Sequence, residues 1–429
     1  MSHATPGNPG EPGSSGSLGR PGGSGRPGGS GTPERVYLDN GGRAPWHPLA
    51  RQAFEQALAD GWADPRRLHA EGRRAARLLD GAREAVAAVL GARTQEVRFT
   101  PSHTASLHTA VAAAAAARRR AGSAVVVSAV ERAAVLHAAS LASGGAGGAG
   151  GAGVAGGVGG VGAAGGAAAP MPVDRLGRVD VDAMVAAVGA PGVALAALQH
   201  ANGEVGTVQP VGAVHDAARA AGVPLLVDAG ASVGHVAVPD TWDLLAADPA
   251  DWGGPAGVGV LAVRHRVRTA PVGPEDEDPW APGGVSVPLA FAAAVALQAV
   301  ESDRVAQEAR RRALVERVRA EVSRIPDVEV VGDPDGRLPH VATFSFLYVD
   351  GEALVTELDR HGFAVGSGSA CTASTLEPSH VLAAMGVLTH GNVRIALDRS
   401  TTADEVERFC AVLPGAVSRV REMLGVGGL

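Results

Sequence analysis

Two kinds of apolar run alternate along this chain. Short, nearly unbroken runs mark buried strands at Val97–Thr100, Ala124–Val127, Val193–Leu198, Val223–Val227 and Val258–Val263. Such continuity, rather than strict alternation, is what a sheet covered on both faces requires. Between them, apolar residues three and four apart predict helices over Leu49–Leu58, from Gly72 through Leu90 to a stop at Gly91, and over Ala105–Arg120 and Val211–Ala221. Strands alternating with helices over this length predict a mostly parallel, doubly wound α/β sheet. A strand at Arg35–Asn40 opens the ordered chain. After residue 287 the pattern changes. Helices at Pro288–Ala306 and Arg310–Ile325 lead to strands at Val328–Val331, Val341–Phe346, Phe363–Val365 and Asn392–Leu397. Helices at Gly351–His361, Ser379–Met385 and Ala403–Val412 flank these strands. This part reads as a smaller α+β domain.

The domain plan is therefore a tail at 1–34, a large α/β domain at 35–287 and a small α+β domain at 288–429. The tail is Gly, Pro and Ser and is expected to be disordered, since it has nothing to bury. Residues 144–169 are almost wholly Gly, Ala and Val and predict a flexible insertion in the large domain. Composition narrows the function classes. A net charge of −7 gives no reason to expect nucleic-acid binding. Arg runs at 118–120 and 310–312 read as solvated helix faces. Two cysteines, Cys371 and Cys410, are too few for a disulfide framework and fit a reducing, cytoplasmic setting. Neither a signal peptide nor a membrane span is expected. All 37 Lys+Arg residues are Arg, which excludes any Schiff base on a lysine of this chain.

Several sites could carry chemistry. Asp228 ends an apolar strand, where α/β sheets face their ligand crevice; it could bind a metal, protonate a heterocycle or cap the next helix. The turn Pro101-Ser102-His103-Thr104 opens a helix and suits either a phosphate or an ordinary N-cap. Cys371 lies among small residues in Gly366–Ser374, as an accessible nucleophile or a small buried side chain. Arg394 could grip a carboxylate or make a surface ion pair. The Gly/Pro-rich stretch Asp248–Gly259 follows a strand and reads as a ligand loop.

Together these segments resemble the cysteine desulfurases of the class V aminotransferase group, which have the fold-type-I pyridoxal phosphate architecture. The resemblance rests on Tyr37-Leu38-Asp39-Asn40, Val97-Arg98-Phe99-Thr100 and Ala201-Asn202-Gly203-Glu204-Val205-Gly206-Thr207. It continues through Val227-Asp228-Ala229, Trp252-Gly253-Gly254-Pro255, Ser367-Gly368-Ser369-Ala370-Cys371 and Val393-Arg394-Ile395. It implies cofactor contacts from Thr104, Asn202 and Asp228, with Asp228 on the pyridinium nitrogen. It implies substrate contacts from Arg394 and Asn40, and a persulfide carried on Cys371. L-cysteine as substrate, a sulfur-acceptor protein and a homodimer, or a heterodimer with a desulfurase paralogue, are its implied partners.

The departures cluster on the cofactor. The family's lysine falls at Asp251, the His before it at Ala250 and a phosphate-binding Ser at Asp248. The ring-stacking His falls at Arg132 and a ring-bonding Gln at Ala231. A Thr reaching the neighbouring phosphate falls at Gly284, and small residues before Thr104 have become Ser102 and His103. The expectation is a pseudoenzyme, scaffold or sulfur relay, with covalent cofactor attachment impossible. The alternatives are a desulfurase working with a Lys-bearing partner, or a different enzyme using Asp228, Asp248 and Asp251 with His103 or His200.

Overall fold

Residues 35–144, 169–271, 273–274, 277–367 and 378–426 are described by the computed structural model of the protein. The 1–34 tail, nearly all of the 144–169 insertion and Cys371 lie outside the described residues.

In chain order the strands are β1 (Val36–Tyr37), β2 (Val97–Thr100), β3 (Ala124–Val127), β4 (Val193–Gln199), β5 (Leu225–Asp228), β6 (Leu244–Ala247) and β7 (Gly259–Val263). They continue with β8 (Val328–Val331), β9 (Val341–Phe346), β10 (Phe363–Ala364) and β11 (Asn392–Ala396). The helices are α1 (Pro48–Asp60), α2 (Ala70–Leu90), α3 (His103–Arg118), α4 (Ala133–Ala142), α5 (Val181–Val188) and α6 (Val211–Ala220). After them come α7 (Val287–Ser302), α8 (Arg304–Val322), α9 (Gly351–Arg360), α10 (His380–Met385) and α11 (Ala403–Met423).

A six-stranded sheet, order β2-β7-β6-β5-β4-β3, carries the large core. Its β3, β4, β5 and β6 are mutually parallel, and only β7 runs against its neighbours. β4 through β7 are buried at every residue, as their unbroken apolar runs require. The expected strand at Val223 begins instead at Leu225. Pro224 has no N–H to give a ladder and uses only its carbonyl, which accepts from Ala196 N at 3.0 Å.

A second, antiparallel sheet, order β11-β9-β8, carries the other core with Phe344, Phe346, Phe363 and Phe409. Packing crosses the boundary expected at residue 287 in both directions. Val36 and Leu38 pack into this second core, because β1 pairs with β10. α7 packs into the first core through residues such as Ala293 and Leu297. Residues 35–429 form one compact unit.

α11 runs past the predicted stop at Val412 and contains Pro414. A proline inside a helix costs about 3 kcal/mol or more. Burial of Phe409, Leu413, Val417 and Val420 along one face outweighs it. α4 and α5 carry no apolar spacing strong enough to mark them, being short and dominated by Ala and Val. Among the described residues, no helix is long and apolar enough to cross a membrane.

Candidate functional site

The parallel strands deliver their C-terminal ends to one edge. β5 ends on Asp228, β4 leads into His200 and Asn202, and β6 leads into Asp248 and Asp251. β2 points the same way, since it and β6 both oppose β7, and it leads into His103. This convergence makes the crevice of a doubly wound sheet.

Asp228 is 4% exposed. Its Oδ1 accepts a hydrogen bond from Gly230 N at 2.9 Å and lies 3.0 Å from His103 Nε2. The ring nitrogen is not well aligned for a hydrogen bond, so this second contact is a close packing contact. Its Oδ2 accepts from Arg132 Nε at 3.3 Å. Burial pushes the His103 pKa down to about 4, against a smaller opposing pull from Asp228, so its ring is neutral at pH 7. Burial would also lower Arg132, but the carboxylates of Asp228, Asp248 and Asp251 outweigh it and raise its pKa. Burial, helped by the charge of Asp251, pushes Asp248 up to about 6.

Asp251 is 2% exposed and both of its oxygens are engaged. Oδ1 accepts from Gly42 N at 2.6 Å, and Oδ2 lies 3.1 Å from His235 Nε2. His235 Nδ1 is met at 2.9 Å by Arg311 Nη1. A guanidinium can only donate, so Nδ1 accepts and Nε2 holds the proton that faces Asp251. The result is a buried chain from Arg311 through His235 to Asp251. Burial pushes Arg311 down to about 10, which leaves it charged at pH 7.

His340 stacks on His235 with ring centres 3.9 Å apart. Donor atoms of His235, Asp251 and His340 lie within 4.8 Å of one another, a spacing that could suit a metal. The bonding does not suit one. Arg311 already fixes a proton on the nitrogen that would have to bind, and stacked rings direct their lone pairs side by side rather than at one point. Of the acids picked out from sequence, Asp228 meets the Arg132 guanidinium, and Asp248 and Asp251 add to the negative charge that raises its pKa.

The other sequence-predicted residues divide clearly. Asn202 is spent on structure. Its Oδ1 accepts from Glu204 N and Val205 N at 2.8 and 2.9 Å, and its Nδ2 donates to Val130 O at 3.1 Å. Thr104 is exposed in the first turn of α3, where Ser102 Oγ caps Ala105 N at 3.1 Å. That turn therefore performs N-cap duty. Arg394 reaches Asp39 Oδ1 at 2.8 Å and lies over Gly41. Among the described residues, its Nε is buried without a partner, as is Asn40 Oδ1. Asn40 Nδ2 donates to Ala396 O at 2.9 Å. The stretch holding Cys371 is flanked by Gly366, which bridges to Arg394, and by Ser379, whose hydroxyl donates to Glu204 Oε2 at 2.9 Å.

Sequence reasoning missed His235, His340, Glu131 and Arg311. Glu131 is fully buried and pushed up to about 8 by that burial, though Ser128 Oγ and Gln199 N both donate to it. The Arg run at 310–312 is not a solvated face. Arg311 is 0% exposed, Arg310 donates to Thr401 O at 2.6 Å, and Arg312 donates to Arg337 O at 3.1 Å. Consecutive helical residues point about 100° apart, so a run of three spreads over more than one face. No sequence signal identifies which residue faces inward.

Comparisons with known proteins agree with this architecture. Residues 36–147 and 162–409 match the aminotransferase class-V family. A cysteine desulfurase of Cereibacter sphaeroides is 35% identical over 92% of this chain and 98% of its own length. A NifS-like protein of known structure superposes with a TM-score of 0.77 at 23% identity, covering 91% of this chain and 99% of that one. DndA from Streptomyces lividans superposes with a TM-score of 0.67 at 27% identity, covering 84% and 99%.

Proposed function

The chain belongs to the aminotransferase class-V family, among its cysteine desulfurases, and from that premise we propose that it carries sulfur on Cys371 without cofactor chemistry of its own. One observation bears most of this reading. Asp251, which the sequence sets at the place of the family's lysine, is buried with both oxygens consumed by Gly42 and His235, and the chain has no lysine elsewhere.

The residues present do not fit pyridoxal phosphate. A Schiff base needs an amine, and this chain offers none on a side chain. Asp248, titrating near 6, is mostly ionised at pH 7 and would repel a phosphate.

What remains is thiol chemistry. In this reading the Cys371 thiolate attacks the outer sulfur of a donor persulfide. A new S–S bond to Cys371 forms, the bond inside the donor breaks, and the donor leaves as a thiolate. An acceptor thiolate then takes the outer sulfur by the same exchange, with no net oxidation. Cys410 is a poor candidate for this work, because burial pushes its thiol up to about 11.

The test uses the full chain. With L-cysteine and added pyridoxal phosphate, no sulfide release is expected. With glutathione persulfide as donor, mass spectrometry should find one added sulfur on Cys371 and none on Cys371→Ser. Sulfide release from cysteine by the protein alone would overturn the reading.

A further inference from the structure

We propose that His103 and Arg132 are built-in occupants of the ring pocket, holding Asp228 with the chain's own side chains where a cofactor ring would bind. The inference rests on the reading above for the identity of Asp228 as the ring-pocket acid. It goes beyond the missing lysine, because it concerns reversible binding as well as covalent attachment.

The position of His103 follows from local structure. It is the first residue of α3, directly after the Ser102 N-cap. Side chains in a first turn lean back past the helix start, here toward the C-terminal edge of the sheet. The imidazole packs on the backbone after Asp228 so closely that a β-carbon at Gly230 would fall 2.0 Å from its Cε1. Only glycine at 230 leaves room for that ring. His103 is 5% exposed, so it is a packed component of the crevice floor.

Arg132 approaches from the other side. It precedes α4 and reaches Asp228 Oδ2 with Nε, while its side chain remains 40% exposed. One carboxylate oxygen thus faces a neutral heterocycle and a backbone amide, and the other faces a fixed cation. A pyridine ring approaching Asp228 must displace the imidazole, the guanidinium or both. The charges of Asp248 and Asp251 also favour the Arg132 cation at this place.

A consequence separates this picture from simple loss of lysine. Asp251→Lys alone should form no Schiff base with pyridoxal phosphate, because the ring pocket stays filled. The decisive measurement is a titration of the purified full chain with pyridoxal phosphate by equilibrium dialysis, with pyridoxal as a second ligand. Wild type is expected to bind weakly. The double variant His103→Ala/Arg132→Ala should gain about 100-fold, roughly tenfold for each freed contact. Pyridoxal should gain by the same factor, since the gain arises at the ring and not at the phosphate. Wild-type affinity equal to that of the variant, or a folded double variant with no gain, overturns the proposal. If the double variant does not fold, Arg132→Ala decides alone, because its side chain is half-exposed: a tenfold gain supports the proposal and none sinks it. Tight wild-type binding without sulfide release defeats this inference only, whereas sulfide release defeats the sulfur-carrier reading.

Discussion

The two flanks of the crevice treat charge in opposite ways. On the flank built by the large sheet, two acids are met from within the chain: Asp228 by Arg132, and Asp251 by His235 and, through it, Arg311. On the flank built by β1 and β11, Arg394 has one acid partner among the described residues, Asp39. The Asp39 side chain is 34% exposed and that of Arg394 15%, against 2% for Asp251. A buried pair is strongly destabilising to break, by about 3–5 kcal/mol, and the cost falls as solvent reaches the pair. An incoming carboxylate can therefore take Arg394 from Asp39 at small cost. Nothing comparable can be done to Asp251. On the first flank Asp228 and Asp251 are tied to cations and histidine of the chain, and on the second the Arg394–Asp39 pair lies nearer solvent.

The most severe way to break this contrast is Asp251→Lys. An ammonium there would face His235 with Arg311 behind it, and Gly42 N would lose its acceptor. Urea unfolding should show a loss of about 3–5 kcal/mol. Unchanged stability would mean that the Arg311–His235–Asp251 chain is not the anchor described above.

Glu131→Gln tests burial on the same flank through pH. Burial raises the folded-state pKa of Glu131 from near 4.5 to about 8. Between those values the unfolded chain has released a proton that the folded chain keeps, so wild-type stability falls as pH rises through that window. The glutamine copies the neutral acid and removes this dependence. Relative to wild type, the variant should gain nothing at pH 4 and on the order of a few kcal/mol by pH 8. Parallel stability curves for the two proteins across this range would refute the assignment.

The mildest change sharpens the other flank. Asp39→Asn should alter stability by no more than about 1 kcal/mol. It should also strengthen the binding of L-cysteine or another small carboxylate at Arg394, measured by calorimetry. A large loss of stability instead would place Arg394 among the structural pairs.

Much of the fold was legible because its signals are local. Continuous apolar runs marked β4 and β7 to within a residue or so, since a strand covered on both faces leaves no polar positions. Boundaries drifted where a local rule met packing, as at Pro224, where a missing N–H delayed β5, and at Pro414, where a buried face carried α11 onward. The site was legible only as a set of residue types. Asp228, Asp251 and Arg394 could each be picked out, but their partners could not. Arg132 lies 96 positions from Asp228, Gly42 lies 209 from Asp251, and Asp39 lies 355 from Arg394.

Sequence alone determined that no lysine exists to form a Schiff base, that the crevice lies at the strand ends, and that the segments run in the order of a class V chain. The first and third are facts of composition and order that no packing could change; the second is an expectation that the parallel sheet met. The tertiary structure decided which charges are neutralised and which remain available. It turned Arg311 inward while its neighbours clamp other segments, seated the His103 ring on Gly230, and left Arg394 with a replaceable partner. The reason is physical: periodicity reports which face of an element is buried, but the identity of a buried charge's partner is set where distant elements meet.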